Sequence, residues 1–197
     1  IDQLDAIIDK FLDYARPQGG TLRPLPLAAV LRACVNATRD QPDLQVTLDV
    51  PESVEVVADE VDLTRTVANL LENARRYGRW PGQSAARVDI TARVRDDWVM
   101  VRLRDHGPGV PPEALPSLIK PFFRGDSART AATGAGLGLA IVQKAVQRMG
   151  GVFAVSNAPG GGLAAHLRLQ RPRGFSEAAA DAPDRPASPG GGSRSAA

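Results

Sequence analysis

The sequence predicts a two-layer α/β domain in which a mixed, mostly antiparallel sheet carries helices on one face. Three observations point there. Val88, Ile90, Ala92 and Val94 alternate with polar residues, as do Val99, Val101 and Leu103, and Asp96-Asp97 between the two runs makes them a hairpin. Long stretches with apolar residues at helical spacing alternate with such strand patterns along the chain. Helices that bury one face of a sheet account for both patterns, whereas a doubly wound parallel sheet does not fit a tight hairpin.

At the start of the chain Ile1, Leu4, Ile8, Phe11 and Ala15 follow a 3-4-3-4 spacing, with Asp2, Asp5, Asp9, Lys10 and Asp13 between them. Such a narrow helical seam needs a partner to bury it. A helix folded back on its own domain and a piece of a coiled coil or bundle both fit. The narrowness of the seam and the immediate break at Pro17 and Gly19-Gly20 favour the second. Residues 17–26 are expected to be a linker.

Leu27 to Arg39 reads as a helix with Leu27, Val30, Leu31 and Val35 on one face, followed by short strands at Gln45 to Val50 and Ser53 to Ala58. Asp59 is the expected N-cap of a long helix to about Tyr77, its apolar face carrying Val61, Val67, Leu70, Leu71 and Ala74. After the hairpin, Gly107 to Thr133 is rich in Gly, Pro, Ala and Arg, with a short helix near Glu113 to Ile119. Leu137 to Met149 forms a helix that Gly150-Gly151 ends, and Val152 to Ser156 and Leu163 to Leu169 are closing strands. From Ser176 to Ala197, Ala, Ser, Pro and Gly fill 17 of 22 positions, too little apolar surface to offset ordering entropy. The folded domain is therefore expected over 27–170 and a disordered tail over 171–197.

Composition removes several classes of function. Twenty-four basic against 22 acidic side chains leave a net charge of +2, which is no footprint for nucleic acid. The single cysteine, Cys34, forms no internal disulfide and has no Cys/His neighbours to make a zinc site. No transmembrane stretch or signal peptide is present, and the opening on Ile1 in mid-pattern reads as a piece of something longer.

Four clusters carry chemistry, and each also has an ordinary structural reading. Asn69 and Asn73, in Asn69-Leu-Leu-Glu-Asn73-Ala-Arg-Arg-Tyr-Gly78, are four apart and project from one helical face. Amide oxygens there suit Mg²⁺ shared with phosphates, or are a solvated stripe. Asp105-His-Gly-Pro-Gly109 puts a carboxylate at a strand exit, where it can reach an exocyclic amine such as that of adenine, or is a plain turn. Pro121-Phe-Phe-Arg124-Gly-Asp-Ser-Ala-Arg129 reads as a mobile cover bringing cations to phosphate, or as a soluble loop. Gly134-Ala-Gly136-Leu-Gly138-Leu opens a helix N-terminus, where N–H groups attract an anion. It is neither the dinucleotide fingerprint nor a P-loop, lacking the preceding strand and the following Lys-Ser/Thr.

Together, in this order and spacing, the four resemble the N, G1, F and G2 boxes of the ATP-binding domain of sensor histidine kinases, within the group that contains gyrase, Hsp90 and MutL. Gly160-Gly-Gly-Leu163 fits the late glycine element. Arg124-Gly-Asp-Ser-Ala-Arg-Thr130 and Gly136-Leu-Gly-Leu-Ala-Ile-Val-Gln143 are most similar to the osmosensor (EnvZ-type) kinases, and Ala6 to Tyr14 looks like the second helix of that family's dimerisation hairpin. The resemblance covers about residues 1 to 170 and implies the histidine kinase/Hsp90/gyrase (Bergerat) fold, with residues 1–16 as a partial dimerisation helix.

It also implies roles. Asn73 would hold Mg²⁺ with Asn69 beside it, Arg76 would approach phosphate, and Tyr77 would lie against adenine or ribose. Asp105 would accept from the adenine amine, with Gly107 and Gly109 allowing close approach and Val110 beside them. Phe122 would anchor a lid bearing Arg124 and Arg129; Gly134, Ala135, Gly136, Leu137, Gly138 and Leu139 would form the phosphate-contacting loop. Ala135 stands where relatives carry Thr, and Ile119 replaces a common aromatic. The implied activity is transfer of the γ-phosphoryl group of ATP-Mg to a histidine, for relay to a response regulator. The implied setting is the cytoplasmic portion of a dimeric bacterial inner-membrane protein that binds no nucleic acid.

The acceptor imidazole is missing. His106 lies in the turn after Asp105 and His166 in the last strand, and both read as ordinary polar residues. An ATP-hydrolysing clamp of the same group would carry Glu where Asn69 stands, and a carboxamide cannot act as a general base. A degenerate nucleotide-binding module is the other alternative.

Overall fold

The structure, a computed structural model, describes residues 20–123 and 136–173 together with Leu12 and Ala15. Leu12 and Ala15 are helical and exposed; the rest of the expected N-terminal helix and the tail from 174 onward lie outside the described residues. The elements are β1 (Arg23–Pro26), α1 (Leu27–Asn36), β2 (Leu44–Asp49), β3 (Glu55–Ala58) and α2 (Glu60–Tyr77). After them come β4 (Ala86–Arg95), β5 (Trp98–Asp105), a 3-10 turn (Pro112–Ser117), α3 (Gly138–Arg148), β6 (Val152–Asn157) and β7 (Leu163–Gln170).

Five strands make one sheet in the order β2-β4-β5-β7-β6, and β1 pairs with β3 apart from it. β4 and β5 are the expected hairpin, turning at Asp96, whose φ is 54°. β5–β7 and β6–β7 are also antiparallel, while β2 runs parallel to β4. Alternation decides the faces. Val88 and Ile90 of β4, Val101 and Leu103 of β5, and Leu167 and Leu169 of β7 are buried and join one core with Leu31, Leu63, Leu71 and Val146 of the helices. A fully buried side chain of this size contributes about 1.5–3 kcal/mol. The opposite face carries Arg87, Thr91, Arg102 and Arg168 and is open. This is the expected mixed sheet with helices on one face.

Asp59 caps α2 as its sequence position suggested, Oδ1 accepting from the Asp62 amide at 2.9 Å. Acidic Glu60 and Asp62 sit in the first turn and Arg75 and Arg76 in the last, each suited to the helix dipole. At its start α2 meets the end of α3, where Arg148 Nε donates to Asp62 Oδ2 at 2.8 Å and Nη2 to Oδ1 at 2.7 Å. Seven to eleven residues further along α2, Gly138 at the start of α3 lies against the Asn69 and Asn73 carboxamides. The two helices therefore run antiparallel, tied at one end and facing a cavity at the other.

Three expectations change. The linker ends earlier than residue 26, because Arg23–Pro26 pair with β3 in the register Leu25↔Val56 and bury Leu25. Pro24 and Pro26 hid that strand, which tolerates them at an edge. Val61 is 52% exposed, and the buried apolar residue of that turn is Leu63. α1 stops at Asn36, where Thr38 Oγ1 donates to the Val35 carbonyl at 2.8 Å and turns the chain.

Candidate functional site

A cavity of about 390 Å³ opens between α2, the start of α3, the exit of β5 and the entry of β7. Asn69, Asn73, Arg76 and Tyr77 line it from α2, Asp105, Gly109 and Val110 from the β5 exit, and Gly136, Leu137, Gly138 and Leu139 from the entry to α3. Three clusters far apart in sequence thus meet in one place.

The apolar side of the cavity includes Leu70, Val88, Leu103 and Ala165, with Asp105 at its edge. Asp105 Oδ1 accepts from the Gly107 amide at 2.9 Å and the Leu163 amide at 3.1 Å, whereas Oδ2 accepts no hydrogen bond among the described residues. Burial pushes its carboxyl above the usual range, against the pull of those two amides. The Gly160–Gly162 turn must come this close: a Cβ on Gly162, where φ is +90°, would sit 1.8 Å from the Asp105 carbonyl oxygen.

At the other end Asn69 Nδ2 donates to the Arg65 carbonyl at 2.9 Å, which fixes its rotamer. Asn73 has no side-chain hydrogen bond among the described residues, and its Oδ1 lies 3.2 Å from where a Cβ on Gly138 would stand. The N-cap of α3, Leu137, makes no side-chain cap, so among the described residues no cap claims the first N–H groups of the helix beside the cavity. Arg76 reaches the cavity while bonded to Glu72. Burial raises the Glu72 carboxyl, but hydrogen bonds from Arg75 and Arg76 outweigh it and hold the group below the usual range.

The remaining sequence candidates divide. Gly107 does not line the cavity; its α-carbon is pressed against the Gly78 backbone, 2.5 Å from where its Cβ would be. Phe122 is 62% exposed with φ 63°, and Phe123 lines the cavity instead. The Phe122 amide donates to the Gly136 carbonyl at 2.9 Å, which ties the described residues on either side of 124–135 to each other. Arg124, Arg129, Gly134 and Ala135 lie outside the described residues. Sequence reading missed Arg79 and Pro81 on the cavity wall, where the position of Arg79 two residues after Tyr77 was the available signal; Leu163, noted only as the end of the late glycine element, is on the wall too. His106 Nε2 meets Asp89 Oδ2 at 2.7 Å and His166 Nε2 meets Ser156 Oγ at 3.0 Å. Burial, helped by Arg102, lowers the His166 pKa.

No group of three or more His, Cys, Asp or Glu among the described residues could hold a metal by itself. An amide oxygen at one end of an anion-attracting cavity is, however, the donor Mg²⁺ uses when phosphates and water complete its shell. Asn73 fits that requirement.

Comparison with known proteins adds four findings. The family model described as histidine kinase-, DNA gyrase B- and HSP90-like ATPase matches residues 58–173. The sensor protein KdpD of Mycobacterium tuberculosis is 36% identical over 184 residues, covering 87% of this chain and 20% of KdpD. The structure of the mycobacterial sensor histidine kinase MprB is 31% identical with a TM-score of 0.66, covering 76% of this chain and 98% of that one. Full-length ShkA in complex with AMPPNP is 26% identical with a TM-score of 0.72, covering 85% of this chain and 36% of that one. The chain spans 20% to 35% of the lengths of the curated relatives it matches.

Proposed function

The chain belongs to the histidine kinase-, DNA gyrase B- and HSP90-like ATPase family, as a catalytic domain of the sensor histidine kinase kind, and from this premise we propose that it binds ATP with Mg²⁺ and donates the γ-phosphoryl group to a histidine on another segment. The observation that carries the reading is the polarity of the cavity. Among the described residues, one end holds a carboxylate with a single oxygen left open, and the other an uncapped helix start beside an unpartnered amide and an arginine.

Asp105 Oδ2 accepts from the exocyclic amine of adenine, and Tyr77 lies along the base or ribose. The α3 N-terminus and Arg76 neutralise phosphate charge, and release of Arg76 from Glu72 lets it turn towards the anion. Asn73 would hold Mg²⁺, which supplies charge neutralisation across the phosphates when bound. Arg124 and Arg129 are proposed to close over the nucleotide. Hydrolysis is disfavoured: Asn69 is no base, and Glu72 is engaged by two arginines.

Residues 1–16 are proposed as the second helix of a dimerisation hairpin of the osmosensor (EnvZ-type) kind, and residues 171–197 as a tail. The proposed whole is a dimeric sensor kinase of the bacterial inner membrane whose phosphoryl group passes to a response regulator. No helix among the described residues is long and apolar enough to cross a membrane.

The test uses this chain and a separate helical hairpin bearing an acceptor histidine. Alone, the chain should bind radiolabelled ATP and form no stable phosphohistidine. Mixed with the hairpin it should label that fragment slowly, at a rate that rises with hairpin concentration, because the link that raises effective concentration is cut. Acid-labile phosphate on each separated fragment decides; label on His106 or His166 would overturn the reading. In the same assay Asn73→Ala should slow transfer more than it weakens nucleotide binding, and unchanged transfer would remove the metal role from Asn73.

A further inference from the structure

Two turns converge on one oxygen of Asp105. The first, 106–110, supplies the Gly107 amide; the second, 158–162, ends at the Leu163 amide. Neither turn lies in a strand, so something else must hold each at hydrogen-bond distance.

For the first turn that agent is Asn157, the last residue of β6. Its Oδ1 accepts from the Val110 amide at 3.0 Å and its Nδ2 donates to the Val110 carbonyl at 2.7 Å. One carboxamide thus takes both polar groups of one backbone residue, as a neighbouring strand would. The fit leaves no spare room: a Cβ on Gly109 would fall 2.7 Å from Asn157 Oδ1. For the second turn the agent is Arg104. Its Nη2 donates to the carbonyls of Pro159 at 2.8 Å and Gly161 at 3.0 Å. Arg104 precedes Asp105 on β5, so adjacent side chains on opposite sheet faces clasp the same turn, one from outside and one from within the cavity.

We propose that Asn157 and Arg104 are positioning residues of the nucleotide site, which hold the 106–110 and 158–162 turns so that Asp105 keeps Oδ1 occupied and Oδ2 free for the base. The proposal rests on the adenine reading given above for Asp105. Neither residue lines the cavity, so both act through the turns and Asp105.

The full chain is tested in two ways that separate the proposal from that reading. Amide hydrogen exchange on the nucleotide-free protein should rise about tenfold at Gly107 and Val110 in Asn157→Ala, and at Leu163 in Arg104→Met, with β4 amides unchanged. ADP affinity by calorimetry should fall roughly five- to tenfold in each variant, and the preference for ADP over GDP should narrow. Asn157→Asp is the diagnostic variant. It is isosteric, yet its second oxygen would oppose the Val110 carbonyl, so it should bind ADP no better than Asn157→Ala at pH 7.5. Protonation restores a donor at that position, so its affinity relative to wild type should recover as pH falls towards 5. Taking the ratio to wild type removes the pH dependence that the two proteins share, that of Asp105 included. Unchanged exchange and ADP affinity within twofold of wild type in Asn157→Ala would overturn the proposal. If wild type binds no adenine nucleotide, the functional reading fails and the exchange data alone decide whether the clamp exists.

Discussion

Asp62→Ala is expected to destabilise the domain by about 3–5 kcal/mol, the largest loss foreseen for a single side chain. The ion pair it breaks is bidentate, with Asp62 9% and Arg148 14% exposed. Removing the carboxylate leaves a guanidinium between two helices with no means of becoming neutral, since its pKa lies far above any working pH. Asp62 is the only charged member of the buried set among the described residues, and the other carboxylate that acts on Arg148, Asp59, lies outside that set. Chemical denaturation should show the loss in the midpoint, with Tm lower by roughly ten degrees. The double variant Asp62→Ala with Arg148→Met should recover much of it, because the uncompensated charge is then gone. A loss below about 1 kcal/mol for Asp62→Ala would mean that the pair behaves as a solvated surface bridge.

Asp105→Ala should weaken ATP binding roughly ten- to hundredfold, the value of a charge-assisted hydrogen bond of about 1.5–3 kcal/mol. Calorimetry with GTP as control checks the cause, since a carboxylate accepts from the adenine amine and is repelled by a carbonyl oxygen at that position. Equal affinities of wild type for ATP and GTP would count against this role. A pH series adds a sign. Burial raises the carboxyl pKa, so protonation, and loss of the acceptor, begins at a higher pH than for a solvated aspartate. ATP affinity should therefore fall as the solution is acidified through that raised pKa and stay level above it. The same shift makes the ionised group a small burden on the free fold, which is relieved, not worsened, by acid.

Much of this was legible because the signals were local. The Asp59 cap, the Asp96-Asp97 hairpin and the shared face of Asn69 and Asn73 each depend on residues within a few positions of one another. What was not legible depends on pairing across distance or on a single backbone angle. Alternation shows that β2 is a strand but not that it lies parallel to β4. Prolines at 24 and 26 argue against a strand until β3 is there to pair with the edge. Phe122 and Phe123 are equivalent in sequence, and the positive φ at Phe122 turns its neighbour towards the cavity instead. The grip of Leu163 on Asp105 reaches across 58 positions, beyond any motif window.

That last bond sets the order in which competence is gained during folding. The β4–β5 hairpin closes over a two-residue turn and carries Asp105 at its end, so the residue is delivered early to a place where nothing yet orients it. Leu163 arrives only when β7 docks on β5, after closure of the whole intervening loop, whose entropy must be met before the contact returns anything. A ligand that needs Oδ1 already occupied has no purchase on the hairpin alone. It binds the finished sheet, so its binding free energy opposes every opening that breaks the Leu163–Asp105 bond, from local fraying of the pocket to global unfolding.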